Sequence, residues 1–202
     1  MHPTKTPLPV RDADVLLQPG SVLLLGTCLA DGRPNVMALA WYTLMDSEVL
    51  RIACVLRNDR LSWQALASLR ECVLNIPSIE QIEQVLTCGT LSAREMDKLA
   101  CLGWSTTPAS RVGVPLVLES CAHIECRVVE QRDMGDCSVF VLEAVAAWRD
   151  AELELPELHA APGSLLLRAQ QEIERRREEL RNVIQFTGAS LPQADLPDSL
   201  WR

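Results

Sequence analysis

Two pairs of β-type runs, each folded about a glycine turn, limit this chain's fold more than any other feature. Val22 to Leu29 and Asn35 to Thr43 flank Ala-Asp-Gly-Arg-Pro. Asp31-Gly32 reads there as a hairpin turn, because such pairs tolerate the positive φ that tight hairpins need. Ala122 to Gln131 and Ser138 to Trp148 alternate around Met134-Gly135-Asp136 as a second, longer hairpin. Val49 to Leu56 and Cys72 to Ile76 add two short strands. Hairpins pair their strands antiparallel, and no strand-helix-strand unit recurs with regular spacing. The expected class is therefore mainly β with helical insertions (α+β), an antiparallel barrel rather than a parallel α/β sheet.

The helices have their own signals. Asp59 to Leu69 carries apolar residues at 61, 65, 66 and 69, with Asp59 or Asn58 available to cap the first turn. Ser78 with Gln81 and Ser92 with Glu95 have the S-x-x-E/Q form of a capping box, and Gly89 and Gly103 stand where each helix should stop. From Ala151 the composition shifts to a Glu- and Pro-rich linker, followed by an expected helix from Ser164 to Phe186. This divides the chain into a domain over 1–150 and a linker, C-terminal helix and tail over 151–202. Leu166, Ile173 and Leu180 form an apolar stripe on that helix, which needs a partner surface: its own barrel or a second subunit.

Composition excludes several function classes. With 48% hydrophobic and 23% charged residues, the chain can build a core without disulfides or metals. A net charge of −8, without a local basic patch, argues against nucleic acid as a partner. No apolar window is long enough for a membrane span, and Met1 to Pro9 lacks the apolar core of a secretion signal, so a cytoplasmic protein is expected. The eight cysteines contain no C-x-x-C and lie mostly in apolar runs, as buried reduced thiols do. Cys121, His123 and Cys126 cannot converge on a metal from one strand without a bulge, because 121 and 123 face one side and 126 the other; no metal site is expected. There is no G-x-G-x-x-G or G-K-[ST] loop, no H-E-x-x-H and no G-x-S-x-G. What remains is polar residues at element ends. Arg57, Asn58, Asp59, Arg60 and Ser62 at a helix start can hold a phosphate or form an ordinary polar loop. Ser92, Arg94 and Lys98 make a second such group, the two cations being four apart on an expected helix face.

Four segments, in order across residues 16 to 150, resemble the flavin reductase-like, FMN-binding split-barrel family. They are Asp31-Gly32-Arg33-Pro34-Asn35-Val36-Met37-Ala38-Leu39-Ala40-Trp41, Asn75-Ile76-Pro77-Ser78, Cys88-Gly89 through Ser92-Ala93-Arg94-Glu95-Met96-Asp97-Lys98-Leu99, and His123 to Val128. The resemblance implies an antiparallel Greek-key split barrel, a homodimer, and FMN near the subunit interface. It places Met37, Ala38, Leu39, Ala40 and Trp41 beside the flavin ring, with Ala38 and Ala40 leaving room for it. The family's S-R-Y-T phosphate segment falls on Asp59 to Ser62, matching at Arg60 and Ser62. Asp59 stands where the first serine would, and Asn58 is the replacement donor. The resemblance also counts Cys88 and Gly89 among the cofactor-binding residues, and makes Ser92, Arg94 and Lys98 candidates for the phosphate or ribityl chain, Lys98 being the preferred charge partner.

The implied activity is electron transfer from NADH or NADPH through FMN to free flavin, a ferric complex or a partner, with no catalytic acid or base assigned. A flavin-binding carrier without its own NAD(P)H turnover, and a scaffold without flavin, stand as alternatives. The chain departs from the family's pattern at Ala93 and Leu99, at Cys137, which replaces the histidine of G-D-H, and at Leu142 before Glu143.

Overall fold

The computed structural model describes residues 4–17, 22–46 and 48–153; the expected C-terminal helix and its stripe lie outside them. The described residues fall within one compact unit, Met1–Pro162.

Strand β1 (Lys5–Leu8) leads into a 3-10 helix at Val10–Leu16. Then come β2 (Leu23–Cys28), β3 (Pro34–Leu39), β4 (Tyr42–Asp46) and β5 (Arg51–Arg57). Helix α1 (Leu61–Leu69), β6 (Glu71–Ile76), α2 (Ile82–Thr90) and α3 (Lys98–Leu102) follow. The strand pair β7 (Thr106–Thr107) and β8 (Leu116–Val117) precedes the long hairpin of β9 (Ala122–Asp133) and β10 (Cys137–Asp150). The main sheet runs β3-β2-β6-β9-β10-β5-β4, antiparallel throughout, with β1 extending the far end of β10. Its two edge strands, β3 and β4, are consecutive in the chain and joined only through Ala40 and Trp41. The sheet therefore curls on itself without closing its hydrogen-bond ladder, which is the split barrel.

Alternation sorts the side chains. Leu23, Leu25, Leu39, Ile52, Leu74, Ile124, Phe140 and Leu142 fill the barrel interior, together with Cys54, Cys72 and Cys126. Cys72 and Cys126 face one another across the β6–β9 ladder. Residues of opposite parity on the outer side, Leu24 and Val36, pack with Cys88, Leu99 and Val117 under α2 and α3. Gly26 serves a close approach, since a Cβ there would meet Asn75 Nδ2 at 3.0 Å. Four cysteines are buried and only Cys101 is exposed, in keeping with the buried-thiol reading.

Several expectations need correction. The run Asn35 to Thr43 is two strands, because the chain must leave one sheet edge and join the other at Ala40–Trp41. Helix α1 starts at Leu61 with Arg60 as N-cap and no side-chain cap bond, so neither Asp59 nor Asn58 caps it. The Ser78–Gln81 capping box is present, but it opens a short 3-10 turn that runs on into α2, which continues through Gly89 to Thr90. Ser92 begins a turn rather than a helix: its carbonyl accepts from the Glu95 and Met96 amides. Asp97 caps α3 instead, accepting from the Ala100 amide at 3.1 Å. Gly103 ends α3 as expected, at φ 66°. Among the described residues no helix is long and apolar enough to cross a membrane.

Candidate functional site

The end of β5 delivers Arg57 to a three-residue loop that enters α1. Asn58 ties this loop to the late hairpin: its Nδ2 donates to the Gly135 carbonyl at 2.7 Å, and its Oδ1 accepts from Ser138 Oγ at 2.9 Å. The hairpin thus engages its side-chain carbonyl and one of its two Nδ2 hydrogens. Trp63 Nε1 donates to the same Ser138 hydroxyl at 2.9 Å. Asp59 turns to the arginines, with Arg57 Nε and Nη2 each 3.3 Å from a carboxylate oxygen and Arg60 Nε at 3.7 Å. The hydrogen bond from Arg57 is the main cause that holds the Asp59 carboxyl below the usual carboxylate range.

Arg94, on the turn before α3, donates from Nη2 to the Asp59 carbonyl at 3.2 Å. Ser92 Oγ accepts from the Arg94 amide at 3.2 Å and so shapes that turn. Arg94 and Lys98 do not share a helical face, because only Lys98 lies in α3. Lys98 is buried, and its ammonium donates to the Val36 carbonyl at 2.9 Å and the Cys88 carbonyl at 3.0 Å. Burial first, and then the positive charge of Arg60, push its pKa down, partly offset by Cys88. Its side chain therefore binds the outer end of α2 to the β3 edge.

On β3 itself, Leu39 faces the core and Met37 packs against it. Ala38 lies under α2, where a methyl added at Gly89 would meet Ala38 Cβ at 3.4 Å. Just beyond β3, the connection Ala40–Trp41 is open, Trp41 being 64% exposed. Ser62 is buried and accepts from Asn35 Nδ2 at 3.0 Å, while Asn35 Oδ1 is buried without a partner. Asn35 was not among the expected site residues; its signal was an amide at an inward position of an apolar strand. The structure thus brings the 57–62 loop, the 88–98 segment and β3 into one region, with Arg60 and Arg94 exposed on it.

Residues 17–167 match the family model described as flavin reductase like domain. An uncharacterized protein of Pyrococcus abyssi is 30% identical over 112 residues, which is 55% of this chain and 64% of that one. The reductase subunit of a flavin-dependent monooxygenase from Rhodococcus jostii is 30% identical over 129 residues, 63% of each chain. The chain thus spans less than two thirds of the length of these curated relatives. Flavoredoxin of Desulfovibrio vulgaris is 28% identical with a TM-score of 0.62, covering 66% of this chain and 71% of its own. An FMN-binding domain of a flavin reductases-like enzyme from Shewanella baltica, 22% identical, shares the fold with a TM-score of 0.67 over 74% of this chain and 79% of its own.

Proposed function

Because the chain belongs to the flavin reductase-like domain family, we propose that it is an FMN-binding oxidoreductase taking electrons from NADH or NADPH and passing them to free flavin, a ferric complex or a partner protein. One observation carries the reading: exposed Arg60 is the N-cap of α1, whose first turn has no side-chain cap bond, and exposed Arg94 donates to the carbonyl of Asp59 immediately before it. The donor set suits a phosphate monoester, since free N–H groups of a helix start and paired arginines both favour a dianion. Arg60, Arg94 and the Leu61 and Ser62 amides would hold the phosphate, and the β3 edge from Met37 to Trp41 would flank the ring. Bound FMN supplies a two-electron carrier, so the protein's share is binding, orientation and charge. Lys98 contributes by keeping α2 and β3 together and by leaving a positive charge beneath the site.

The names of the Rhodococcus reductase subunit and the Desulfovibrio flavoredoxin support this assignment. A second reading, a flavin-binding electron carrier with little NAD(P)H turnover, is favoured by Cys137. The hairpin that Asn58 ties to the phosphate loop presents a thiol where the family resemblance calls for an imidazole. A homodimer is part of the proposal, and its support is the β4 edge, where Leu44 and Met45 are exposed next to the exposed Trp41 of the connection. We place the protein in the cytoplasm on its reduced thiols.

The test is titration of FMN fluorescence with protein at micromolar concentration. Saturable quenching is expected, and no quenching after incubation with excess FMN would reject the flavin reading.

A further inference from the structure

Asp59 places a carboxylate among the arginines at the opening of α1. It stands in the loop that opens α1, yet its carboxylate does not cap that helix. Instead it bridges Arg57, at 3.3 Å from both Nε and Nη2, and Arg60, at 3.7 Å from Nε. Its main-chain carbonyl also takes the Arg94 guanidinium at 3.2 Å. One residue therefore engages all three guanidiniums of the region. The carboxyl is held below the usual carboxylate range, so it is an anion wherever a phosphate monoester is a dianion.

We propose that Asp59 is an internal competitor for the anion site: its carboxylate occupies Arg57 and Arg60 in the ligand-free protein and must release them for a phosphate to bind. The proposal rests on the FMN reading and goes beyond it by assigning to one residue the discrimination between phosphorylated and unphosphorylated flavin. Like charges this close repel even when solvated. An isosteric neutral side chain would remove both the repulsion and the competition for the arginines. Affinity for FMN then rises while affinity for riboflavin, which has no phosphate, stays where it was.

The experiment compares wild type, Asp59→Asn and Asp59→Ser by flavin fluorescence titration, with FMN and riboflavin as ligands, at low and at moderate salt. The expected result is FMN binding about fivefold tighter or more in both variants at low salt, with riboflavin unchanged. Wild-type FMN binding that is unchanged or weakened in both variants would overturn the inference alone, and would make Asp59 a residue that positions the arginines. No FMN binding by any of the three proteins would overturn the flavin reading and the inference with it. The side chain of Asp59 is exposed, 61% of its surface facing solvent, so both substitutions leave the core intact.

Discussion

Lys98 and Arg60 show how the same charge has different uses at different depths. Arg60 is exposed at the first turn of α1, and a charge-assisted bond from it to a phosphate is worth about 1.5–3 kcal/mol. Arg60→Ala should therefore weaken FMN binding by roughly ten- to a hundredfold, with riboflavin unaffected, in a fluorescence titration. Lys98→Met should act on folding instead, because it strips two carbonyls of their buried donor. A loss of about 1–3 kcal/mol in urea denaturation is expected; a purely phosphate-binding Lys98 would leave stability unchanged. Sequence could show that these residues are cations near helix starts. It could not show which of them is buried, since that depends on α3 beginning at Asp97 rather than Ser92, and both positions carry plausible caps. Asp59 was legible as an anomaly, while its partners were not, because an Arg-x-Asp spacing is silent about whether the carboxylate turns to the helix or to the arginine.

At the scale of elements, the outer face of β9 explains a stretch that sequence left blank. Glu125 is buried on that face and accepts from the Ser110 amide and hydroxyl at 3.0 Å, the Arg111 amide at 2.6 Å and Trp148 Nε1 at 2.7 Å. It thereby anchors the excursion between α3 and β9. Two positions earlier His123 is also buried, its Nδ1 2.9 Å from Asn75 Oδ1, which already accepts from the Val117 amide. The ring therefore donates through Nδ1. Burial, and secondarily the charge of Lys5, push its pKa down to about 3. The unfolded chain, with an ordinary His pKa of about 6.5, takes up this proton first. The titration of His123 thus costs no stability above pH ~6.5, and stability is lost as the pH falls from there toward 3, by at most about 1.4 kcal/mol per unit. Glu125 adds to the loss only in the acid range: burial pushes its carboxyl up, but the four hydrogen bonds outweigh this and leave it below its usual value. Urea midpoints should therefore fall between pH 6.5 and 5 in wild type and stay level over that interval in His123→Asn. Equal slopes in the two proteins would contradict the buried neutral ring. The two hairpins and α1 were legible because their alternation or periodicity is long. The two-residue β7 and β8 were not, since strands of that length carry no period, and the break at Ala40–Trp41 was hidden because the apolar run from Val36 to Tyr42 continues through it.

The whole molecule is a sheet with two ends, and its ends differ. The β3 end is covered in part by α2, and Lys98 occupies the Val36 carbonyl. The β4 end carries exposed Leu44 and Met45 next to Trp41, and an apolar edge of this kind invites pairing unless another surface covers it. Light scattering should give about twice 22.4 kDa. Charged substitutions at Leu44 and Met45 together should shift that value to the monomer, and a wild-type monomer at tens of micromolar would remove the homodimer from the proposal. The antiparallel barrel class could be read from the hairpins, whereas its split came only with the family resemblance, because the strand order alone shows that neighbours in sequence stand at opposite ends of the ladder. The thiols sealed inside that barrel have a further use. Cys54, Cys72 and Cys126 are fully enclosed, whereas Cys101 lies in the open on α3. An alkylating reagent meets Cys101 at once and the other three only when the strands part, so the chain carries its own clock for the opening of its core, with the zero of time marked on its surface.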